Sequence, residues 1–248
     1  MNIFQNGITA HRGNSERDPE NTVESFLSGI AVGVDWLELD ILYTSDKHLV
    51  VIHDGTSGRT ADKDLIIAET TLTELKKLDF AFQFRKNNPN TPVLRIPTLF
   101  EVFEAVGVDS KTGISIQPKN TGTEGMRAVE DAISLANELG MIDIVGFNDG
   151  QLDLMRHVKE INPKIPVFYD IMEPTPEHLL EALEYGFESL ICFKDHITKD
   201  WALKVKAIGI IPGAWTVDSI EEFYVLLQLG IERFYTNCPE TMLNILHN

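Results

Sequence analysis

Between positions 11 and 53 stand six residues whose types could do chemistry together: His11, Arg12, Glu20, Glu38, Asp40 and His53. Each stands at or near the end of an apolar run, and strand ends are where parallel α/β folds place their chemistry. Glu38 and Asp40 are two residues apart in the strand-like segment WLELDILYT. Their carboxylates therefore project from one face, while Leu37, Leu39 and Ile41 project from the other. Two carboxylates on one face repel unless positive charge lies between them, and no basic residue neighbours them in sequence. A divalent cation with hard oxygen ligands, Mg²⁺ or Ca²⁺, is the simplest solution. Histidine changes protonation near neutral pH, so His11 and His53 suit an acid and a base. Arg12 offers a rigid, planar donor set to an oxyanion.

The elements that must position these residues alternate regularly. Strand-like runs are expected at 8–12, 36–44, 113–119, 142–148, 166–171, 189–193, 210–217 and 233–237. Amphipathic stretches such as ENTVESFLSGIAVG, TEGMRAVEDAISLANELG and PEHLLEALEYG separate them, each ending in glycine as a helix C-cap does. Eight strands, each followed by a helical stretch, predict a (β/α)₈ TIM barrel in a single domain spanning 1–248. One interval breaks the rhythm. Residues 45–97 carry a further strand-like run (LVVIHD), the turn-rich GTSGRTADKD, a helix-like TLTELKKLD and a polar FRKNNPNTP, so the helix due after the second strand comes late, at 97–107. This interval reads as an insertion at the mouth of the barrel, a lid or substrate-binding excursion.

Bulk properties narrow the class. The formal net charge of −17 argues against a nucleic-acid or anionic-membrane surface, and an anionic substrate would need a locally positive pocket. No run of eighteen apolar residues predicts a membrane span. The N-terminus lacks a basic region followed by an apolar core, and Cys192 and Cys238 form neither a disulfide framework nor a zinc pattern. A cytoplasmic protein with reduced thiols is the expectation.

With His11-Arg12-Gly13, PENT (19–22), LELD (37–40), VIHD (51–54), GRT (58–60), IPTL (96–99) and WTVD (215–218) in this order, the chain resembles the glycerophosphodiester phosphodiesterase family. The resemblance runs from residue 8 to about 240, and the ordered set is far more specific than any one motif. It implies a TIM barrel that hydrolyses glycerophosphodiesters to sn-glycerol 3-phosphate and an alcohol, using a divalent metal and two catalytic histidines, His11 and His53. Arg12, Lys119 and Trp215 are then expected on the substrate, Glu38, Asp40 and Gln117 on the metal, and Glu20 in support. Two other readings are kept: a lyase-type phosphodiesterase that releases a cyclic phosphate, and a diverged phosphodiester-binding protein with a weakened metal site.

The departures from the family pattern are specific. Where the family usually reads close to IEIK, this chain reads Ile116-Gln117-Pro118-Lys119. Gln117 and Lys119 share a face, but an amide oxygen is a weaker ligand than a carboxylate. Pro118 removes a ladder donor, which predicts a bulge. Asp218 stands where asparagine is common, and Asn237 where aspartate is common. Phe147, Tyr169 and Phe193 end their strands and are expected at the same mouth. Asn21 and Thr22 suit a helix N-cap. Asp54 either orients a ring or makes a turn. The remaining histidines, His48, His157, His178, His196 and His247, are expected to be solvated.

Overall fold

The computed structural model describes residues 7–246. Nine strands follow one another as β1 (Ile8–His11), β2 (Trp36–Tyr43), β3 (Leu49–Val51), β4 (Gly113–Pro118), β5 (Val145–Asp149), β6 (Val167–Ile171), β7 (Ser189–Phe193), β8 (Ile211–Trp215) and β9 (Arg233–Thr236). All but β3 pair in parallel, and β1 is bonded to both β2 and β9, which closes an eight-stranded barrel. This is the (β/α)₈ barrel expected from the alternation. The fourth barrel strand begins later than its apolar run, because Ile142–Ile144 forms a 3₁₀ turn ahead of β5.

The helices are α1 (Val23–Val32), α2 (Leu72–Leu75), α3 (Phe82–Arg85), α4 (Leu99–Val106), α5 (Gly122–Glu138), α6 (Leu152–Ile161), α7 (Pro176–Tyr185), α8 (Lys199–Ala207), α9 (Ile220–Leu229) and α10 (Pro239–Leu246). Their starts are set by local chemistry. Thr22, Thr71 and Thr98 each cap a helix, the hydroxyl accepting from the backbone N–H three residues on. Only Thr22 of the expected pair caps α1. Asn21 uses its side chain elsewhere.

Residues alternate between two cores. Leu37, Leu39, Ile41, Ile114 and Ile116 point outward and are fully buried under the helices. Inside the barrel, Trp36, Phe168, Ile191 and Tyr235 pack together at its base. The buried Arg233 guanidinium lies 3.4 Å over the Phe168 ring. Gly113 belongs to this layer: a Cβ there would meet the Trp36 ring at 2.6 Å.

Parallel register sets the polar inward residues side by side. His11 is level with Glu38, Glu38 with Ser115, and Asp40 with Gln117. The pairing of β2 with β4 runs without interruption from Trp36↔Gly113 to Ile41↔Pro118, so the expected bulge at Pro118 is absent. The physical reason lies in direction. The Lys119 N–H donates to Ile41 on β2, so that of residue 118 would face β5, whose pairing with β4 ends at Ile116↔Phe147. No ladder bond to β5 is therefore lost at Pro118.

The interval after β2 is ordered. β3 folds back antiparallel on β2, and Val50, Ile52, Ala61, Ile67, Leu75, Leu78, Phe80 and Ile96 bury one another in a small core of their own. α2 and α3 are single turns within this segment, and α4 supplies the late helix. The segment carries His53 to the barrel mouth.

Candidate active site

A cavity of about 630 Å³ opens at the C-terminal ends of the strands. His11, Arg12, Glu38, His53, Gln117, Lys119 and Trp215 all line it. Asp40 lies just behind, fully buried, and Glu20 stands against Arg12. The residues predicted from sequence are thus gathered from β1, β2, β4, β8 and the insertion. A larger hollow of about 810 Å³ is lined by Asp35, Trp36 and residues 106–113 but holds no histidine.

The chain turns sharply after β1 to build the first corner. Arg12 adopts φ 59°, a left-handed conformation rare outside glycine. In this turn its N–H donates to Glu38 Oε2 at 2.9 Å, while its guanidinium reaches Glu20 Oε1 at 2.9 Å and Asp40 Oδ2 at 3.5 Å. Gly13 follows at φ 84°, and a Cβ there would collide with Ser25. Asn21, also left-handed at φ 55°, donates from Nδ2 to Asp40 Oδ2 at 2.8 Å.

The acid pair has cationic partners that sequence proximity did not reveal. Lys119 Nζ lies 3.0 Å from Asp40 Oδ1 and also donates to Gln117 Oε1. Burial tends to raise the Asp40 pKa, but Lys119 and Arg12 outweigh it and hold the carboxyl below its usual range. Glu38 goes the other way. Burial, and then the Asp40 charge, push its pKa well above the ordinary carboxylate value. Among the described residues no group of three or more His, Cys, Asp or Glu side chains is close enough to hold a metal. The oxygen donors at hand are two carboxylates, Glu38 and Asp40, and the Gln117 amide. They fit a hard cation in type, and two of them, Asp40 Oδ1 and Gln117 Oε1, already hold a positive group between them.

Both histidines are anchored through Nδ1. His11 Nδ1 lies 2.8 Å from Asn237 Oδ1, and His53 Nδ1 lies 2.6 Å from Asp54 Oδ1. An amide oxygen and a carboxylate accept only, so each ring carries its hydrogen on Nδ1. Burial, then the Arg12 charge, lower the His11 pKa to about 4, so this ring is neutral at pH 7. Asp54 orients a ring and is itself clamped by Arg59. Burial alone would raise the Asp54 pKa, but Arg59 and His53 bring it down to about 2. Arg59 also chelates Glu20, with contacts of 2.5 and 2.9 Å, and so joins the β1–α1 loop to the insertion. Arg59 stood in the quoted GRT motif, but its role was not foreseen.

The opposite wall holds further residues that the sequence did not single out. Asp170 on β6 accepts from Asn148 Nδ2 at 3.0 Å and from Gln117 Nε2 at 3.4 Å. Its Oδ1 is buried without a hydrogen bond, and burial raises its pKa to about 7. His178, expected to be solvated, lines the cavity and packs edge-on against Tyr169. His157 is also engaged, 2.9 Å from Glu130. His247 lies outside the described residues. Tyr169 reaches the cavity as expected, but Phe147 does not; it points outward into the core under the helices. Phe193 stands behind Trp215, with ring centroids 5.2 Å apart.

Comparison with known proteins agrees with this geometry. The model of the Glycerophosphoryl diester phosphodiesterase family matches residues 11–241. A glycerophosphodiester phosphodiesterase of Caldanaerobacter subterraneus subsp. tengcongensis is 35% identical over 96% of this chain and 97% of its own length. One from Bacillus altitudinis is 28% identical over 96% and 97%. Among solved structures, an Oleispira antarctica phosphodiesterase in complex with the product sn-glycerol-3-phosphate superposes with a TM-score of 0.88 at 22% identity, covering 97% of this chain and 96% of that one. The barrel, its mouth and the run of motifs from His11 onward converge on one assignment: the chain belongs to the glycerophosphoryl diester phosphodiesterase family.

Proposed function

We propose that this chain, an enzyme of the glycerophosphodiester phosphodiesterase class, cleaves glycerophosphodiesters to sn-glycerol 3-phosphate and an alcohol, with His11 as base and His53 as acid. One observation carries the assignment of roles. Both imidazoles line one cavity with Nδ1 tied to an acceptor, which leaves each Nε2 for the substrate, but the acceptors differ. His11 faces a neutral amide and stays unprotonated at neutral pH, as a base must. His53 faces the Asp54 carboxylate, which accepts from Nδ1 and aims Nε2 at the cavity, the arrangement that suits proton donation.

His11 Nε2 takes the proton of the glycerol 2-hydroxyl as its oxygen bonds to phosphorus. The bond to the leaving alcohol breaks, and His53 Nε2 gives that oxygen its proton. Water then opens the resulting cyclic phosphate to sn-glycerol 3-phosphate. Arg12 and Lys119 face the phosphate with positive charge, which offsets the negative charge of a protein at −17 overall. Glu38, Asp40 and the Gln117 oxygen would hold a divalent cation, Mg²⁺ or Ca²⁺. When bound, that ion supplies charge against the non-bridging oxygens. Trp215 gives the alcohol an apolar wall. The insertion brings His53 and, through Arg59, fixes it to the β1–α1 loop, so it forms one side of the mouth.

The test is turnover of a panel of glycerophosphodiesters with added Mg²⁺ or Ca²⁺, the products resolved by phosphorus NMR. Accumulation of sn-glycerol 3-phosphate is expected. A cyclic phosphate as the end product would instead make the chain a lyase.

A further inference from the structure

We propose that Asp218 is a positioning residue for His11: by holding the Asn237 amide in one orientation, it fixes which ring nitrogen of His11 carries the hydrogen. The inference rests on the reading of His11 as the base. Asp218 follows β8 and is exposed; Asn237 follows β9 directly. A carboxylate accepts hydrogen bonds and donates none. Asp218 Oδ2 lies 2.7 Å from Asn237 Nδ2, and Asp218 Oδ1 accepts the Asn237 backbone N–H at 2.7 Å and the Thr236 hydroxyl at 3.2 Å. The amide must therefore turn its NH₂ toward Asp218.

With the NH₂ engaged there, Oδ1 is the atom that meets His11 Nδ1 at 2.8 Å. It offers the ring only lone pairs, so Nδ1 holds the hydrogen and Nε2 keeps the lone pair a base needs. The flipped amide has almost the same shape but presents NH₂ to Nδ1. The ring would then place its hydrogen on Nε2 and lose its basic atom at the cavity. Ser15 does not choose between the two. Its hydroxyl lies 2.9 Å from both Asn237 Oδ1 and the His11 carbonyl, and can donate to either. Among the described residues bonded to this amide, Asp218 is the one that tells its two ends apart. It touches neither His11 nor the cavity, so its effect on the ring passes through Asn237.

The experiment uses histidine-labelled protein without substrate and reads the ring nitrogen shifts of His11, assigned by loss of its signals in His11→Ala. Wild type should show Nδ1–H. In Asp218→Asn either end of residue 218 can face the amide, so a mixture of tautomers is expected, with kcat falling in proportion to the Nδ1–H population lost, about twofold for an even mixture, and KM little changed. Asn237→Asp alone sets two carboxylates about 2.7 Å apart and should be worse. The exchange Asp218→Asn/Asn237→Asp again presents an obligate acceptor to Nδ1 and should restore the Nδ1–H signature, with kcat recovering only toward alkaline pH, because a carboxylate beside the ring favours its protonated form. Folding of each variant is checked by its melting transition. A pure Nδ1–H signature in Asp218→Asn, or its absence in the double exchange, overturns the proposal. A tautomer mixture with unchanged kcat supports the positioning and removes the base role from His11, so the two readings fail separately.

Discussion

Replacing Gln117 by glutamate tests the cation site most directly, because the structure sets opposing charges around that one side chain. Gln117 Nε2 lies 3.4 Å from Asp170 Oδ2, and its Oε1 accepts from Lys119. A carboxylate in the same place would meet Asp170 at about that distance. Two unit charges so placed would repel by at most about 5 kcal/mol at an effective dielectric near 20, and by less where Asp170, with its pKa raised to about 7, is protonated. Attraction to Lys119 is of similar size, so these two largely cancel. What remains is repulsion from Glu38 and Asp40, already a strained pair, since Asp40 helps raise the Glu38 pKa. A net loss on the order of 2 kcal/mol is expected without metal, a fall in Tm of about 4–8 °C for a domain of this size. A divalent cation should reverse the sign, because the added charge then faces it. The assay is thermal unfolding of wild type and Gln117→Glu, each with EDTA and with saturating Mg²⁺ or Ca²⁺. The variant should melt lower in EDTA and gain several degrees more from the cation. An identical cation-induced shift in both proteins would refute the placement of residue 117 among the ligands.

Four further outcomes are expected. His11→Ala and His53→Ala should each lower kcat by roughly 10²–10⁴ at unchanged Tm, a proton role being worth that much; a folded variant keeping more than about a tenth of kcat would exclude its histidine from proton transfer. EDTA should abolish turnover, and excess Mg²⁺ or Ca²⁺ should restore it; full activity after exhaustive chelation would remove the metal from the mechanism. Arg59→Met should lower kcat while leaving the His11 ring signals unchanged, because it frees Asp54 and hence His53; wild-type turnover would show the clamp to be dispensable. Burial raises the folded-state pKa of Asp170 from 3.8 to about 7, so its contribution to stability is complete below about pH 4 and is lost as pH rises through about 7; metal-free Asp170→Asn should therefore gain Tm relative to wild type between pH 5 and 8, and parallel Tm–pH curves would count against that shift.

The barrel was legible because its strands are apolar on the face that meets the helices, and that signal survives whatever points inward. The acids and histidines were legible because strand ends gather them. Contacts across long separations were not. Arg59 grips Glu20 across 39 residues, and His11 meets Asn237 across 226, so no local pattern announces either. Phe147 was placed at the mouth for ending a strand, yet alternation from Asn148, which faces inward to Ser115, would have turned it outward. His178 was read as solvated because it rides a helix. Its Nδ1 in fact lies 3.2 Å from the Thr175 backbone N–H at the start of α7, which holds the ring toward Tyr169. A composition-level reading could not separate that capping role from a surface one.

The departures that looked like isolated substitutions share one physical arrangement. The chain carries 38 acids against 21 lysines and arginines, and at the mouth Arg12 and Lys119 are committed to Asp40. Arg59 is taken up by Glu20 and Asp54, and two further acids nearby are met by amides: Asn237 serves Asp218, while Gln117 and Asn148 serve Asp170; Asn21 adds a further donor to Asp40. An amide that spends its NH₂ on a carboxylate has its carbonyl oxygen aimed by default. For Asn237 the oxygen meets His11, and for Gln117 it meets Lys119 beside Asp40. Gln117 is therefore better described as an oriented oxygen than as a lost charge. Its fitness as a ligand depends on Asp170 keeping the NH₂ turned away, so Gln117→Glu and Asp170→Asn should be non-additive in cation affinity, with the glutamate gaining more once residue 170 is neutral.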